Sequence, residues 1–364
     1  MIKTLWIKGF RNLKETVVEF SDSPLFVYGQ NNQGKTNFLE AFYVLRNGAS
    51  VIQSPLEDLV NFEEKEAVLG LDFYSKETPN RYYLKLSNEG SKQAILNEKE
   101  LKSFRSIKSK FWVEFISADV IRIFQESPDF RRKDLDAFCG ALFEEYKPEL
   151  KKLEKMLKQK NAALKKESYD QIPLWNKQIA HVATDIVSLR QQALRILNEE
   201  VNSIIKEILP EYQDNVVISY IITRLEGDFD PETYSETLLT KFDEDIFKEQ
   251  ALCYSLCGPQ RDDFRIDIDN KELYSIYSRG INRTMAIVIK LAQLTLIEEH
   301  TKSFPLLLLD EIFAELDSEK KKQIIPFITQ KTQCIFATIQ PEDKAYFDSV
   351  DVYEMKDGTL VSHG

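Results

Sequence analysis

The sequence predicts an α/β fold that is built on a mixed sheet and interrupted by an α-helical insertion. Two observations lead to this prediction. Toward both ends of the 364-residue chain, short apolar segments alternate with stretches of helical periodicity, which is typical of a mostly parallel sheet covered by helices. Between about residues 130 and 252 the sequence is rich in Lys, Glu, Gln and Leu and nearly free of glycine, which indicates helices.

The domain boundaries follow from the same change in composition. With 43% hydrophobic residues, the chain is long enough for two domains or for one large domain with an insertion. We expect residues 1–120 and 253–364 to form the two halves of one α/β domain. Residues 121–252 should form the helical insertion.

The N-terminal half begins with predicted strands at residues 3–8, 16–20 and 25–28. A helix should follow over 36–45, because apolar side chains recur there at helical spacing, at Phe38, Leu39, Phe42 and Leu45. From 67 to 96, alternating apolar and polar residues separated by turns predict an antiparallel sheet.

Helical periodicity in the insertion is clearest at residues 150–157 and 179–197, and a less regular stretch follows at 210–231. The lysine-rich run from Lys151 to Lys166 is more often a solvated helix face than a DNA site.

The C-terminal half is predicted to contain a strand at 263–268, a helix at 281–299 and a buried strand at 305–309. A short helix should run from 319 to about 325, where Pro326 would end or kink it. The last strands are expected at residues 334–339 and 350–355.

Composition excludes several classes of protein. The four cysteines and three histidines form neither a disulfide framework nor a metal-ligand or triad pattern, so we expect buried thiols. A net charge of −11 argues against non-specific coating of nucleic acid and leaves room for a local DNA site. No run of about 18 apolar residues or secretory signal is evident, so we expect a cytoplasmic protein without a membrane partner.

A phosphate-binding pattern lies directly after the third strand. Residues 29–36 match G-x-x-x-x-G-K-[ST], in the strand-to-helix context that this motif requires. In such a loop, backbone N–H groups face the phosphates of ATP, Lys35 reaches the β- and γ-phosphates, and the Thr36 hydroxyl binds Mg²⁺. The predicted ATP-binding residues of this P-loop are Gly29, Gln30, Asn31, Asn32, Gln33, Gly34, Lys35, Thr36 and Asn37.

An acidic pair, Asp310 and Glu311, ends the buried strand Leu306–Leu309. Ligands bind at the carboxyl ends of such strands, so Asp310 is predicted to hold the Mg²⁺. Glu311 is predicted to be catalytic, together with Lys35, because a second carboxylate can polarise the attacking water. Either acidic residue alone would commonly mark a strand that ends in a solvated turn. The presence of a P-loop in the same chain argues against that interpretation.

The segment Ser278-Arg279-Gly280 lies at the start of the predicted helix 281–299. Alone, Ser278 is best interpreted as a helix N-cap. Its position about 30 residues before the acidic pair, with Asp317 just after that pair, is similar to the signature and D-loop of ABC-type ATPases. Those proteins sandwich two ATP molecules between the P-loop of one subunit and the signature of the other.

The order of P-loop, helical insertion, signature and acidic pair resembles the SMC-like ABC ATPases, and within them the RecF family over nearly the whole chain. The residues that carry this resemblance are Phe10-Arg11-Asn12, Gly29 to Ala41, Ser127 to Arg132 with Leu135-Asp136, Lys160 to Leu164, Gly258 to Asp263, and Leu306 to Asp317. Two departures stand out: Ile281 follows the signature glycine where the family has glutamine, and Asn32 replaces a glycine found in many ABC proteins.

The resemblance implies an ABC-type P-loop ATPase head that slowly hydrolyses ATP with Mg²⁺ and forms a homodimer on ATP. It implies binding to double-stranded DNA and to single-strand/double-strand junctions, and a role with RecR and RecO in placing RecA at gaps. It also places Arg11 and Asn12 near the nucleotide phosphates, and Ser278, Arg279 and Gly280 at the ATP of the opposite subunit.

Two alternatives stay open. An ATP-gated DNA clamp that does not hydrolyse ATP would share the fold, although the intact Glu311 argues against it. An ABC transporter ATPase subunit is the weaker alternative, because the resemblance to that class would require a histidine after the strand that follows the acidic pair. Here Gln340 and Pro341 follow that strand.

Overall fold

The computed structural model describes residues 1–75, 77–117, 127–212, 215–225, 229–301, 304–314 and 316–363. The chain divides into two units, Met1–Arg122 with Ser278–Gly364, and Ile123–Tyr277. The second unit therefore extends past residue 252, where we expected the insertion to end. The reason is that strand pairing within residues 216–272 joins the segment after residue 252 to the strand before it.

The described elements are numbered along the chain. The strands are β1 (Ile2–Lys8), β2 (Thr16–Glu19), β3 (Leu25–Tyr28), β4 (Glu66–Ser75), β5 (Thr78–Ser87), β6 (Lys92–Leu96), β7 (Lys99–Glu100), β8 (Phe111–Ser117), β9 (Val216–Ile221), β10 (Asp263–Ile268), β11 (Lys271–Glu272), β12 (Phe304–Asp310), β13 (Gln333–Thr338), β14 (Asp351–Lys356) and β15 (Thr359–Ser362). The α-helices are α1 (Lys35–Asn47), α2 (Arg105–Lys108), α3 (Pro128–Leu142), α4 (Tyr146–Lys165), α5 (Ile172–Ile208), α6 (Tyr234–Leu252), α7 (Leu273–Ile276), α8 (Arg279–Thr301) and α9 (Ser318–Lys331).

A six-stranded sheet in the first unit positions the predicted site. Its order is β15-β14-β3-β13-β12-β8, in which the five strands from β14 to β8 run parallel and β15 is antiparallel. The side chains from Leu306 to Leu309 in β12 are all buried, as expected for an inner strand covered on both faces. The predicted α/β class is confirmed.

The second sheet of the first unit is antiparallel, with the order β2-β1-β4-β5-β6-β7. Inward-facing residues alternate with exposed ones along β5, where Tyr82, Leu84 and Leu86 are buried. Helix α1 packs into the same core through Phe38 and Phe42, whose rings meet edge to face at 5.6 Å.

Three details differ from the sequence prediction. Helix α9 does not end near residue 325 but continues through Pro326 to Lys331, and its buried face includes Ile324, Ile325 and Ile328. Packing of that face outweighs the lost backbone donor. Strand β9 lies within the stretch that we expected to be less regular, and β15 is a further strand beyond the predicted last one.

Helix α8 is the described helix long and apolar enough to cross a membrane by length and composition. However, 78% of its most apolar window is buried, which is also typical of the core helix of a soluble protein.

The second unit contains helices α3 to α7 and the sheet β11-β10-β9. Its core contains a fully buried ion pair, Lys160 with Glu249, at 2.7 Å, and Lys160 also lies 3.7 Å from the ring centroid of Phe242. Burial lowers the pKa of Lys160, while the Glu249 carboxylate opposes that shift. Buried charges of this kind must be paired, so the two residues fix how α4 and α6 pack.

Candidate active site

The P-loop turns sharply between β3 and α1 because two glycines allow close backbone contacts. The Gly29 N–H donates to the carbonyl of Thr338 at 3.2 Å, and a Cβ atom at Gly29 would lie 2.4 Å from the carbonyl oxygen of Met355. Gly34 has φ of 114°, and a Cβ atom there would lie 2.8 Å from Leu13. A side chain at either position would therefore force the loop to move.

Asn32 adopts a left-handed conformation, with φ of 63°. Asparagine tolerates this conformation better than most residues, so the loop keeps its shape without the glycine common in ABC proteins. Neighbouring bonds hold the loop in place. The Gln33 side chain accepts from the N–H of Asp357, and its carbonyl accepts from Gly358 at 3.0 Å.

The N-terminus of α1 offers backbone donors to an anion. Its N-cap is Gly34, and no side chain in the described part of the chain caps it. The first helical bond runs from the Phe38 N–H to the Gly34 carbonyl at 2.8 Å, so the preceding N–H groups lie at the positive end of the helix. This is the arrangement that binds phosphate groups.

Lys35 supplies the positive charge of the site, with 6% of its side chain exposed. Its ammonium donates to the carbonyls of Gly29 at 2.7 Å and Gln30 at 3.1 Å, and lies 3.3 Å from Glu311. The structure thus joins the predicted Lys35 and Glu311 directly.

Asp310 and Thr36 lie side by side although 274 residues separate them. The Thr36 hydroxyl donates to the Asp310 carboxylate at 2.7 Å. The sheet order explains this, because β13 lies between β3 and β12 and aligns their carboxyl ends. A hydroxyl and a carboxylate are the donors that Mg²⁺ takes from proteins when phosphates complete its coordination. Among the described residues no group of three or more His, Cys, Asp or Glu could form a self-sufficient metal cage.

Glu311 is held in an uncommon backbone conformation, with φ of 54°. Its N–H donates to the Ala337 carbonyl at 2.9 Å, and its side chain accepts from the Ile339 N–H at 3.2 Å. These two bonds to β13 and the residue after it place the carboxylate beside Lys35. Backbone strain of this kind persists only where surrounding contacts enforce it, and it concentrates at functional sites.

Asn12 and Arg11 have different surroundings. Asn12 contacts the P-loop region, since its side chain donates to the Asn32 carbonyl at 3.4 Å and accepts from Asn37 at 2.8 Å. The Arg11 guanidinium instead makes two hydrogen bonds to Glu40 of α1, at 3.0 and 3.2 Å. A phosphate contact by Arg11 stays a prediction.

Glu40 is the residue that the sequence analysis did not single out as part of the site. It is buried, and it accepts from Ser50 at 2.6 Å as well as from Arg11. The signal was present, because Glu40 is a charged residue among buried apolar neighbours on α1. Buried carboxylates need such partners.

The signature residues lie at the start of α8. Ser278 and Arg279 are exposed, and the Ser278 hydroxyl accepts from the Ile281 N–H at 3.4 Å. This contact agrees with the N-cap interpretation. The role of Ser278, Arg279 and Gly280 at the ATP of a second chain stays a prediction.

Asp317 caps the N-terminus of α9 by accepting from the Lys320 N–H at 2.9 Å. That hydrogen bond lowers the pKa of Asp317, so the carboxylate is charged at neutral pH. Gln340 lies after β13, in the region where transporter-type ATPases have a histidine. Its side chain accepts a hydrogen bond from Lys321 at 3.0 Å. Gln340 is thus bound to α9.

A cleft of 910 Å³ borders the P-loop region. It is lined by Asn12 and Asn37 together with residues of the first hairpin and of the segment before β4, including Lys14, Asn61 and the fully exposed Phe62. The volume is in the range of clefts that bind small molecules.

Comparison with known proteins agrees with this geometry. The family model described as the RecF/RecN/SMC N-terminal domain matches residues 1–359. The chain is 30% identical over 334 residues to the DNA replication and repair protein RecF of Caldanaerobacter subterraneus subsp. tengcongensis, covering 89% of this chain and 90% of the relative. It is 28% identical to RecF of Clostridium tetani over the full length of both.

Solved structures give the same result. A structure of the recombination mediator protein RecF with ATP in the RecFOR pathway superposes with a TM-score of 0.83 at 27% identity, covering 100% of this chain and 97% of that one. An SMC head bound to the C-terminal winged-helix domain of ScpA superposes with a TM-score of 0.60 at 18% identity, over 100% of this chain and 97% of that chain. The second similarity concerns the fold alone.

Proposed function

Because the chain belongs to the RecF/RecN/SMC N-terminal domain family, and within it is a RecF-type ATP-binding protein of DNA replication and repair, we propose that it dimerises on ATP and binds duplex DNA near single-strand gaps. In this proposal ATP hydrolysis is slow and stimulated by DNA, and it times the release of the DNA. The protein would act in the cytoplasm, where the chromosome of a bacterium lies.

The observation that carries this proposal is the hydrogen bond between Thr36 and Asp310, with Lys35 and Glu311 beside it. In the proposed site the ATP phosphates lie on the N-terminus of α1 and Lys35 neutralises their charge. Thr36 and Asp310 would hold Mg²⁺, which supplies further neutralisation of the β- and γ-phosphates when bound. These residues bring the groups that would bind ATP and metal together in one chain.

Hydrolysis requires a water oxygen to form a bond to the γ-phosphorus as the bond to the bridging β–γ oxygen breaks, which yields ADP and phosphate. Glu311 would orient this water and accept its proton. Glu311 also contacts Lys35 and the Ile339 N–H. We propose that these contacts hold its carboxylate away from the attacking water until the dimer closes, which makes the free chain a slow ATPase.

The dimer would use the signature in trans. Ser278 and Arg279 are exposed at the N-terminus of the 23-residue helix α8, whose positive end could face the γ-phosphate of a second chain. Asp317, charged and 60% exposed, would lie in the same interface. Family resemblance further supports RecR and RecO as partners and RecA loading at the gap as the outcome.

A non-hydrolysing ATP-gated clamp is the second candidate, and one observation favours it. One oxygen of the Glu311 carboxylate accepts a hydrogen bond from the Ile339 N–H, and the other lies in an ion pair with Lys35 at 3.3 Å. If closure leaves these contacts intact, ATP would act only as a ligand. A transporter-type ATPase is supported less, because Gln340, which is bound by Lys321, lies in the region where that class has a histidine.

The test is an ATPase assay with and without duplex DNA, run beside light scattering with and without ATP and Mg²⁺. We expect slow phosphate release that rises when DNA is added, and a doubling of mass with ATP. Dimerisation and DNA binding without any phosphate release would support the clamp instead. A chain that stays monomeric in ATP would contradict both.

A further inference from the structure

Helix α4 carries a row of lysines along one face. The row consists of Lys151, Lys155, Lys158 and Lys165 with the C-cap residue Lys166, all exposed, and is called the lysine stripe below. At 100° per residue these positions fall within an arc of about 100°, and from Lys151 to Lys165 they extend about 21 Å along the helix. The opposite face is buried and includes Leu153, Lys160 and Leu164.

The lysine stripe has little internal compensation, although the exposed Glu154 lies at its edge, three residues after Lys151 and four before Lys158. Among the described residues, none of its five ammonium groups has a carboxylate within 4.0 Å, whereas Lys152 beside the stripe pairs with Glu149 at 2.6 Å. Lys151 and Lys155 are spaced i, i+4, and Lys155 and Lys158 are spaced i, i+3, so their charges repel each other and destabilise the helix. A bound polyanion would remove that cost.

The chemistry of the stripe favours nucleic acid over protein. Protein interfaces have a core of aromatic or large aliphatic side chains. In α4, all of whose residues are described, no large apolar side chain is exposed; along the chain the nearest exposed ones are Tyr169 and Leu174, which follow the helix. Lysines that present separate point charges suit phosphates spaced along a strand.

We propose that the lysine stripe is a contact surface for the phosphate backbone of duplex DNA. It would contact DNA of any sequence, since contacts to phosphates carry no sequence information. In a chain with net charge −11, the stripe concentrates positive charge where the molecule as a whole repels DNA. This inference rests on the proposed duplex binding, and it assigns one of the DNA contacts to the lysine stripe.

The test is duplex binding by fluorescence anisotropy in ATP and Mg²⁺ over a range of salt concentrations. The triple variant Lys151→Gln, Lys155→Gln, Lys158→Gln removes three phosphate contacts. The slope of log affinity against log salt should become shallower by about 2.7, and affinity at 0.1 M salt should fall at least about tenfold. Because glutamine keeps helix propensity, the thermal midpoint should be unchanged or higher.

A matched control carries Lys65→Gln, Lys85→Gln and Lys344→Gln, which are exposed positions in the first unit. It has the same net charge as the stripe variant and should bind DNA with the wild-type salt slope. Wild-type binding by the stripe variant would overturn the inference, as would equal losses in both variants. If the wild-type protein itself binds no duplex, the proposed function fails and the inference fails with it.

Discussion

Lys35 and Glu311 are each other's partners in the site, and each of them would meet ATP differently. The ammonium of Lys35 is held by two loop carbonyls and by Glu311, so it can turn to phosphates without a large change in position. Glu311 is fixed from behind by β13. In the proposed site the pair would therefore separate binding from hydrolysis at the level of single side chains.

Lys35→Ala should weaken ATP binding by about 100-fold or more, because charge-assisted hydrogen bonds to the phosphates are lost. Calorimetric titration of ATP measures this, with the exposed Lys65→Ala as the control. Wild-type affinity in the Lys35 variant would contradict the P-loop assignment.

Glu311→Gln should keep ATP binding and slow hydrolysis by about 100-fold or more, the scale of losing a positioned base. Glutamine fits the same backbone conformation, so the loop should not move. The ATP-bound dimer should accumulate on a sizing column. Unchanged phosphate release would show that Glu311 is not the base, and Glu319→Gln on α9 serves as the control for one lost charge.

At the scale of elements, the start of helix α8 separates a self-sufficient site from one shared between two chains. Ser278 is exposed and bonded only within its own first turn in the contacts described here. A larger residue at this position should therefore leave the fold of the chain intact. It would obstruct an interface only if one forms there.

Ser278→Arg should block ATP-driven dimerisation while ATP binding to each chain survives, because Lys35, Thr36 and Asp310 come from the same chain. Light scattering with ATP and Mg²⁺ reports the mass, and duplex binding at one fixed salt concentration should fall in parallel. The control is Ser278→Ala, which removes the hydroxyl without adding bulk. An arginine variant that still dimerises and binds DNA would show that Ser278 only caps α8.

The elements that sequence patterns predicted well are those with strong hydrophobic periodicity or with glycine-rich turns at their ends. Helix α1 follows the glycine-rich loop within one residue of its predicted start, and β12 was visible as an unbroken apolar run. The pairing of Thr36 with Asp310 could be anticipated because parallel strands align their carboxyl ends.

Other features depend on contacts between distant parts of the chain. Strand β9 gains its regularity from pairing with β10, and α9 extends past Pro326 because Ile328 is buried. The engagement of Arg11 by Glu40 was also hidden, since residues 29 positions apart meet only in the folded chain. The helix and strand propensities of single residues do not depend on such distant partners and so cannot predict them.

For the whole molecule, acid stability should show an unusual contribution from Asp262. This side chain is fully buried and accepts from Tyr220 at 2.9 Å and from the Thr223 N–H at 2.8 Å. Burial raises the pKa of Asp262 to about 6, against the opposing effect of these bonds. A raised carboxyl pKa means that the folded chain holds a proton more firmly than the unfolded chain.

The stabilisation by Asp262 should be complete below about pH 4 and be lost as pH rises through about 6, by roughly 3 kcal/mol in all. Urea unfolding of the wild type and Asp262→Asn between pH 4.5 and 7.5 measures this. The wild-type advantage over the variant should shrink as pH rises, whereas the exposed Asp185→Asn should show no such trend. A constant or growing advantage would contradict the assigned pKa.

The sheet order also has a consequence for biosynthesis. Strand β3 is flanked by β13 and β14, which emerge from the ribosome only after about 310 more residues have been joined to the nascent chain. At typical rates of synthesis this takes roughly 15 to 60 s, during which β3 has neither neighbour and its backbone groups can pair with other chains. The second unit is continuous in sequence and can fold during that interval. A nascent chain stalled before residue 333 should therefore recruit chaperones through β3.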